Sequence, residues 1–212
     1  MNTLYFRLDE NHPDMDAIKK CADIIKGGGI VIFPTETVYG IGTNALDDSA
    51  LLKLYKAKQR PLSKPFLCHI NGLSQAKELA VIDDTAETFI KKYTPGPLTL
   101  VLKKKPCVSD VLTSNGDTVG LRFPSNNIFI ELSKICSCPI AATSANISGF
   151  ESAKNSEDLK ALTEMADAVI DAGKCRYSLE STILSLAGEP KILRQGSFPR
   201  KLIEEEIGKC VL

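Results

Sequence analysis

The sequence predicts a single mixed α/β domain, and three observations carry that expectation. Helix-like and strand-like segments alternate along all 212 residues, the pattern of layered α/β folds. Apolar residues make up 43% of the chain and charged residues 25%, an ordinary globular mix in a chain long enough to bury a core without disulfide or metal staples. No repeat, low-complexity tract or Ser/Gly-rich linker divides it, so residues 1–212 read as one unit.

Taken in order, Asp14 to Lys26 places Met15, Ile18, Cys21, Ala22 and Ile25 at helical spacing, and the glycines at 27–29 stop it. Gly29 to Phe33 is a buried strand that ends at Pro34. Ser49 to Lys58 is a short amphipathic helix closed before Pro61, Phe66 to Ile70 a strand, and Ser74–Leu79 and Thr85–Tyr93 are helices. Leu98–Leu102 and Val119–Phe123 are strands. Asn127–Cys136 is helical, and Pro139–Thr143 is a strand feeding the polar loop 144–149. Ser156 stands where it would cap a helix carrying Leu159, Leu162 and Met165. Strands follow at Ala168–Ile170, Ser181–Leu186 and Lys191–Leu193, and Pro199–Ile207 closes as a helix.

Several classes are excluded early. No apolar run approaches the ~18 residues of a membrane span, and the polar, acidic opening segment does not resemble a secretory signal. The expectation is therefore a cytoplasmic protein without membrane contact. Seven cysteines, an odd number, read as reduced thiols, mostly small buried hydrophobes. Cys136 and Cys138 form only a C-x-C, far from His12 and His69, so no metal site is expected.

Lys+Arg and Asp+Glu number 26 each, and this balance argues against a general nucleic-acid coat. It also hides segregation. Residues 50–76 and 88–109 contain no Asp or Glu. Within them Lys53, Lys56 and the run 103–105 read as solvated surface. Lys58, Arg60 and Lys64 differ, because they bracket a loop whose prolines at 61 and 65 fix the backbone. Three preorganised cations suit a phosphate, with Arg as a fork and Lys as a point charge. A plain solvated loop fits the same residues.

Other segments carry polar groups in apolar settings. Thr35, Glu36 and Thr37 follow the buried strand at 29–33, and Gly40 and Gly42 would let backbone approach a ligand; an ordinary polar turn is the competing reading. His69 interrupts an apolar strand and reads first as a half-buried, hydrogen-bonded histidine. Arg122 interrupts another, and a buried Arg needs either a ligand anion or an internal salt bridge. Ser144 and Asn146 lie at the C-terminal end of a strand, where open α/β sheets tend to hold ligands. No phosphate loop, nucleophile elbow or Ser-His-Asp order is present.

Together these motifs become recognisable. Pro34-Thr-Glu-Thr-Val-Tyr-Gly-Ile-Gly42, Lys58-x-Arg60 with Lys64-Pro65, Pro95-Gly-Pro-x-Thr99, Gly120-x-Arg122-x-Pro124 and Ser144-x-Asn146 occur in order. The set resembles the YrdC-like threonylcarbamoyl-AMP synthase family in its short single-domain form, over about residues 17–194. The resemblance implies a twisted mixed sheet flanked by helices around a positively charged cavity. It also implies a nucleotidyltransferase that makes L-threonylcarbamoyladenylate and pyrophosphate from L-threonine, bicarbonate and ATP, with Mg²⁺ accompanying the nucleotide. The product would pass to threonylcarbamoyl transferase proteins for t6A modification of tRNA. By the family's pattern Thr37, His69, Arg122, Thr143 and Ser181 would bind threonine. Lys58, Arg60, Lys64, Thr118, Ser144, Asn146, Ser152 and Arg194 would bind ATP. No residue stands out as a general base. The alternatives are a double-stranded RNA or tRNA-binding module using the same cations, and a paralogue without synthase activity.

Overall fold

Strand alternation decides how this chain layers, because successive side chains point to opposite faces of a sheet. A computed structural model describes residues 3–208. In it β1 (Leu4–Arg7), β2 (Val31–Phe33), β3 (Gly40–Asn44), β4 (Leu67–His69), β5 (Leu98–Lys103), β6 (Thr118–Arg122), β7 (Ile140–Ser144), β8 (Ala168–Asp171), β9 (Thr182–Ser185) and β10 (Lys191–Arg194) form one sheet. Its order is β1-β8-β2-β3-β7-β4-β6-β5-β9-β10. It is mixed: β8 runs parallel to β1 and β2, β4 parallel to β6, and β5 parallel to β9, while the other pairs are antiparallel.

The helices are α1 (Met15–Lys26), α2 (Asp48–Ala57), α3 (Leu73–Leu79), α4 (Asp84–Tyr93), α5 (Asp110–Thr113), α6 (Asn127–Cys136), α7 (Ser156–Leu159) and α8 (Arg200–Ile207), with a 3-10 segment at Lys160–Met165. Side-chain oxygens start the longer ones: Asp14 accepts from the N–H groups of Asp16 and Ala17, and Asp47, Asp83 and Asn126 do the same for α2, α4 and α6.

One face of the sheet presents Ile32, Ile41, Cys68, Leu100, Leu121 and Leu184 to Leu51 and Leu54 of α2, Leu79 of α3 and Phe89 of α4. The opposite face presents Val31, Phe33, Ile140, Ala142, Ala168 and Ile170 to Ile18, Cys21 and Ile25 of α1 and Phe129 and Leu132 of α6. Those two helices cap only the β8-β2-β3-β7 region. Beyond it, on the same face, residues of β4, β6, β5, β9 and β10 line a cavity.

Three elements escape the sequence expectation. β1 is a mostly exposed edge strand, LYFR, of which only Phe6 packs on the core, so pairing with β8 largely defines it. α5 is a single turn started by the Ser109 hydroxyl. The third is more instructive. Gly40 to Asn44 is a central strand, not a polar turn, and it pairs with both β2 and β7. Gly lowers strand propensity, yet a Cβ on Gly40 would lie 2.6 Å from the Phe33 ring and one on Gly42 2.5 Å from the Ala141 carbonyl oxygen. Both glycines admit the protein's own core, and Gly40 also lines the cavity. Two smaller corrections follow. Asn155, not Ser156, caps α7, because the Ser156 hydroxyl donates to Asp171 instead. The six described cysteines are free, and Cys107 is exposed; Cys210 lies outside the described residues.

Among the described residues no helix is long and apolar enough to cross a membrane. In the Lys run at 103–105 the outer two are exposed as expected, and Lys104 alone is drawn in, pairing with Asp110.

Gly42→Ala tests the packing at β3. The added methyl meets a backbone oxygen that cannot swing aside, and overpacking of this kind costs about 1–3 kcal/mol. Thermal unfolding should show a Tm lower by several degrees; an unchanged Tm contradicts the close approach.

Candidate functional site

The cavity has a volume of about 530 Å³. Its floor is the open half of the sheet, where Leu67, Val101 and Ile183 alternate with the core residues Cys68, Leu100 and Leu184. Its walls come from the loop after β2 (Thr35, Val38, Tyr39), the loop after α2 (Arg60, Ser63, Lys64, Pro65) and the segment before β9 (Glu180, Ser181).

Arg122 is its most constrained group. β6 sits between β4 and β5 with Arg122 opposite His69 and Thr99. The side chain is 5% exposed, and its Nη2 donates to Glu36 Oε1 at 2.9 Å, to Thr37 Oγ1 at 2.7 Å and, at longer range, to Thr35 Oγ1 at 3.5 Å. Glu36 is equally buried, and its other oxygen accepts from the Ser125 N–H at 3.2 Å. The internal salt bridge, one of the two readings open from sequence, is therefore real. It does not use the whole guanidinium: Nε is buried without a partner.

His69 departs from the half-buried, satisfied histidine expected. It is buried edge-on against Phe33 and Phe129, and its Nδ1 has no hydrogen-bond partner. Burial first, then the neighbouring Arg122 charge, hold its pKa well below the ordinary value, so the ring stays neutral. Two adjacent buried nitrogens thus lack partners inside the fold. Such groups are costly unless a ligand or water completes them.

The rest of the wall is cationic. Arg60 Nε and Nη2 donate to the carbonyls of Lys64 and Pro65 at 3.0 and 2.8 Å, and its guanidinium stands 5.3 Å from the Phe66 ring centre. That bracing follows from the turn after α2, where Gln59 takes the left-handed region at φ 48°. Arg194 chelates the Ser181 carbonyl from Nε and Nη2, and the Ser181 hydroxyl meets Thr99 Oγ1 at 2.9 Å. Burial lowers the pKa of both arginines, while Glu180 opposes that effect at Arg194. Glu180 is the only carboxylate among the described residues that line the cavity. Burial pushes its pKa up, but the Ser152 hydroxyl and the Arg194 charge outweigh this and hold it below the usual range.

Of the residues singled out from sequence, His69, Arg122, Thr143, Ser181, Arg60, Lys64, Thr118, Ser144 and Arg194 line this one cavity. Thr37, Lys58, Asn146 and Ser152 stand behind it. Thr37 holds Arg122, and Ser152 holds Glu180. Lys58 is buried, and its Nζ lies 2.5, 2.8 and 2.5 Å from Ser144 O, Asn146 O and Asn146 Oδ1. It ties α2 to the loop after β7 instead of reaching the cavity. Sequence reasoning missed Glu180, which no motif marks, and the pairing of Glu36 with Arg122. The signal for the latter was present as one acid within an otherwise uncharged segment beside a buried strand.

A mixed α/β sheet half-covered by helices, with four cations lining a cavity over its open half, has the chemistry to suit small anionic ligands. The particular assignment follows from comparison. The Sua5_yciO_yrdC sequence model, described as "Telomere recombination", matches residues 23–196. The chain is 41% identical over 195 residues to the Threonylcarbamoyl-AMP synthase of Pyrococcus abyssi and 37% identical over 204 residues to that of Bacillus subtilis. These alignments cover 91% and 94% of this chain but only 57% and 59% of the relatives. The crystal structure of P. abyssi Sua5 complexed with L-threonine superposes with a TM-score of 0.95 at 39% identity, covering 99% of this chain and 62% of that one. The chain belongs to the Sua5/YciO/YrdC family.

Lys58 gives a pH-dependent test. Burial, with the Arg60 charge adding to it, lowers its pKa from 10.5 to about 7. The unfolded chain therefore holds this proton between about pH 7 and 10.5 while the folded chain does not, so this group makes stability rise with pH across that window. Wild type should gain stability relative to Lys58→Met between pH 7 and pH 9 in denaturant titrations. A constant difference contradicts the burial of this amine.

Proposed function

We propose that this protein is an L-threonylcarbamoyladenylate synthase, a nucleotidyltransferase that uses L-threonine, bicarbonate and ATP. One observation carries the reading: a pinned guanidinium with a free buried edge, and an unpartnered histidine, share a 530 Å³ cavity with Arg60 and Lys64. A carboxylate fits the first pair and a polyphosphate the second. The names of the relatives, and the structural neighbour solved in complex with L-threonine, support the same reading.

In this scheme the amine of threonine attacks bicarbonate carbon, water leaves, and a carbamate forms. A carbamate oxygen then attacks the α-phosphorus of ATP, and pyrophosphate departs with the electron pair of the broken P–O bond. Holding both substrates in one cavity replaces two encounters by one and shields the labile carbamate from water. Arg122 and His69 orient the amino acid, with Thr143 and Ser181 beside them, while Thr118 and Ser144 flank the nucleotide. Arg60, Lys64 and Arg194 stabilise negative charge that moves onto the phosphates.

Among the described residues no group of three or more His, Cys, Asp or Glu is placed to hold a metal ion. We propose that magnesium enters on the phosphate oxygens as part of the nucleotide, where a hard cation keeps several of its waters. We also propose that the product serves tRNA modification through a downstream transferase.

The test is pyrophosphate release from Mg-ATP. It should require threonine and bicarbonate together; equal release without threonine refutes the proposal. Arg60→Ala and Lys64→Ala should each raise KM for ATP at least about tenfold, as loss of a charge-assisted phosphate contact of about 1.5–3 kcal/mol implies. Threonine affinity should stay within about twofold, and an unchanged KM for ATP removes these two residues from the phosphate site.

A further inference from the structure

Glu36 has no assigned part in binding, yet it is the counter-charge of the most constrained group in the cavity. Its carboxylate lies 2.9 Å from Arg122 Nη2, with both side chains all but excluded from solvent. The bonds from Glu36, Thr37 and Thr35 all fall on that one nitrogen. The Nε side of the guanidinium is left unpartnered. The Nη2 protons that would complete a fork on that side are taken by Glu36 and Thr37, so what the held guanidinium still offers is one aimed, charge-assisted N–H from Nε.

The cavity's charges divide in the same way. Arg122 has Glu36 in contact, and Arg194 has Glu180 beside it. Arg60 and Lys64 form no ion pair among the described residues, although both line the cavity. The Arg122 end is thus close to charge-neutral, whereas the phosphate end carries two uncompensated cations, Arg60 and Lys64, beside the Glu180-paired Arg194. An amino acid is a zwitterion with no net charge, whereas a triphosphate carries several negative charges. An uncompensated Arg122 would be a further phosphate ligand competing with Arg60 and Lys64.

We propose that Glu36 is a positioning and specificity-determining residue. It aims the free edge of Arg122 at the amino-acid carboxylate, and it cancels the charge that would otherwise draw phosphate into that end. This rests on reading the Arg122 end as the amino-acid site.

The experiment is calorimetric titration of the full chain with L-threonine, with ATP, and with inorganic phosphate as a competitor of threonine. Glu36→Gln keeps the size and one acceptor but removes the charge. It should weaken threonine binding at least about tenfold and let phosphate compete at least about tenfold more strongly, with ATP affinity kept within about threefold. A merely structural role predicts instead that threonine and ATP weaken together with no gain for phosphate, and that result overturns the proposal, as does unchanged threonine binding. Glu36→Asp keeps the charge and shortens the arm, so it should weaken threonine while leaving phosphate competition at the wild-type level; it carries the test if the Gln variant fails to fold. Absence of threonine binding by the wild-type chain would refute the amino-acid reading itself, an outcome distinct from failure of the Glu36 role.

Discussion

A guanidinium inside a sheet needs a counter-charge, and most of this site depends on how Glu36 supplies one to Arg122. Breaking a buried pair of this kind costs about 3–5 kcal/mol, because it strands a charge away from water. The two partners come from distant parts of the chain: Glu36 from the loop after β2 and Arg122 from the end of β6. The pair therefore fixes the position of that loop over the sheet, with Thr35 Oγ1 donating to the Val38 carbonyl at 2.6 Å to hold its curve. Tyr39 extends the same brace to the end of β8 through its hydroxyl bond to Gly173. What remains after these bonds is a guanidinium edge and an imidazole nitrogen that the fold itself leaves open.

The cavity exists because a ten-stranded sheet is wider than two helices cover. α1 and α6 seal one half of a face, and the apolar residues of β2, β7 and β8 meet them there. Across β4, β6, β5 and β9 the same face carries His69 at the boundary, its ring against Phe129 of α6, and then Arg122, Thr99 and Ile183. The opposite face of those strands is apolar apart from Thr182 and packs on α2, α3 and α4. One face stabilises, and the other is free to hold ligands.

Much of this was legible in the sequence, for identifiable reasons. Long amphipathic segments such as Asp14–Lys26 and Asn127–Cys136 declare themselves by spacing, and the helices there run Met15–Lys26 and Asn127–Cys136. Arg60, Lys64, His69 and Arg122 stood out as polar groups in constrained or apolar settings, and they share one cavity. Other features depended on tertiary partners. β3 reads as a turn until Phe33 is seen lying over Gly40. Lys58 shows in the sequence only as one cation of a loop, and the oxygens of Ser144 at the end of β7 and of Asn146 around its Nζ are seen only in the fold. Glu180 lies in no motif, and only the arrival of Ser152 and Arg194 from elsewhere gives it a role.

The central claim is that one cavity holds an amino-acid carboxylate on Arg122 and a polyphosphate on Arg60 and Lys64 at the same time. A crystal structure of the protein with L-threonine and a non-hydrolysable ATP analogue tests it most directly. The account predicts the threonine carboxylate within about 3 Å of Arg122 Nε, the Glu36 contact intact, and the phosphates against Arg60 and Lys64. A carboxylate seated on Arg60 or Lys64, or a phosphate that displaces Glu36 from Arg122, would contradict it.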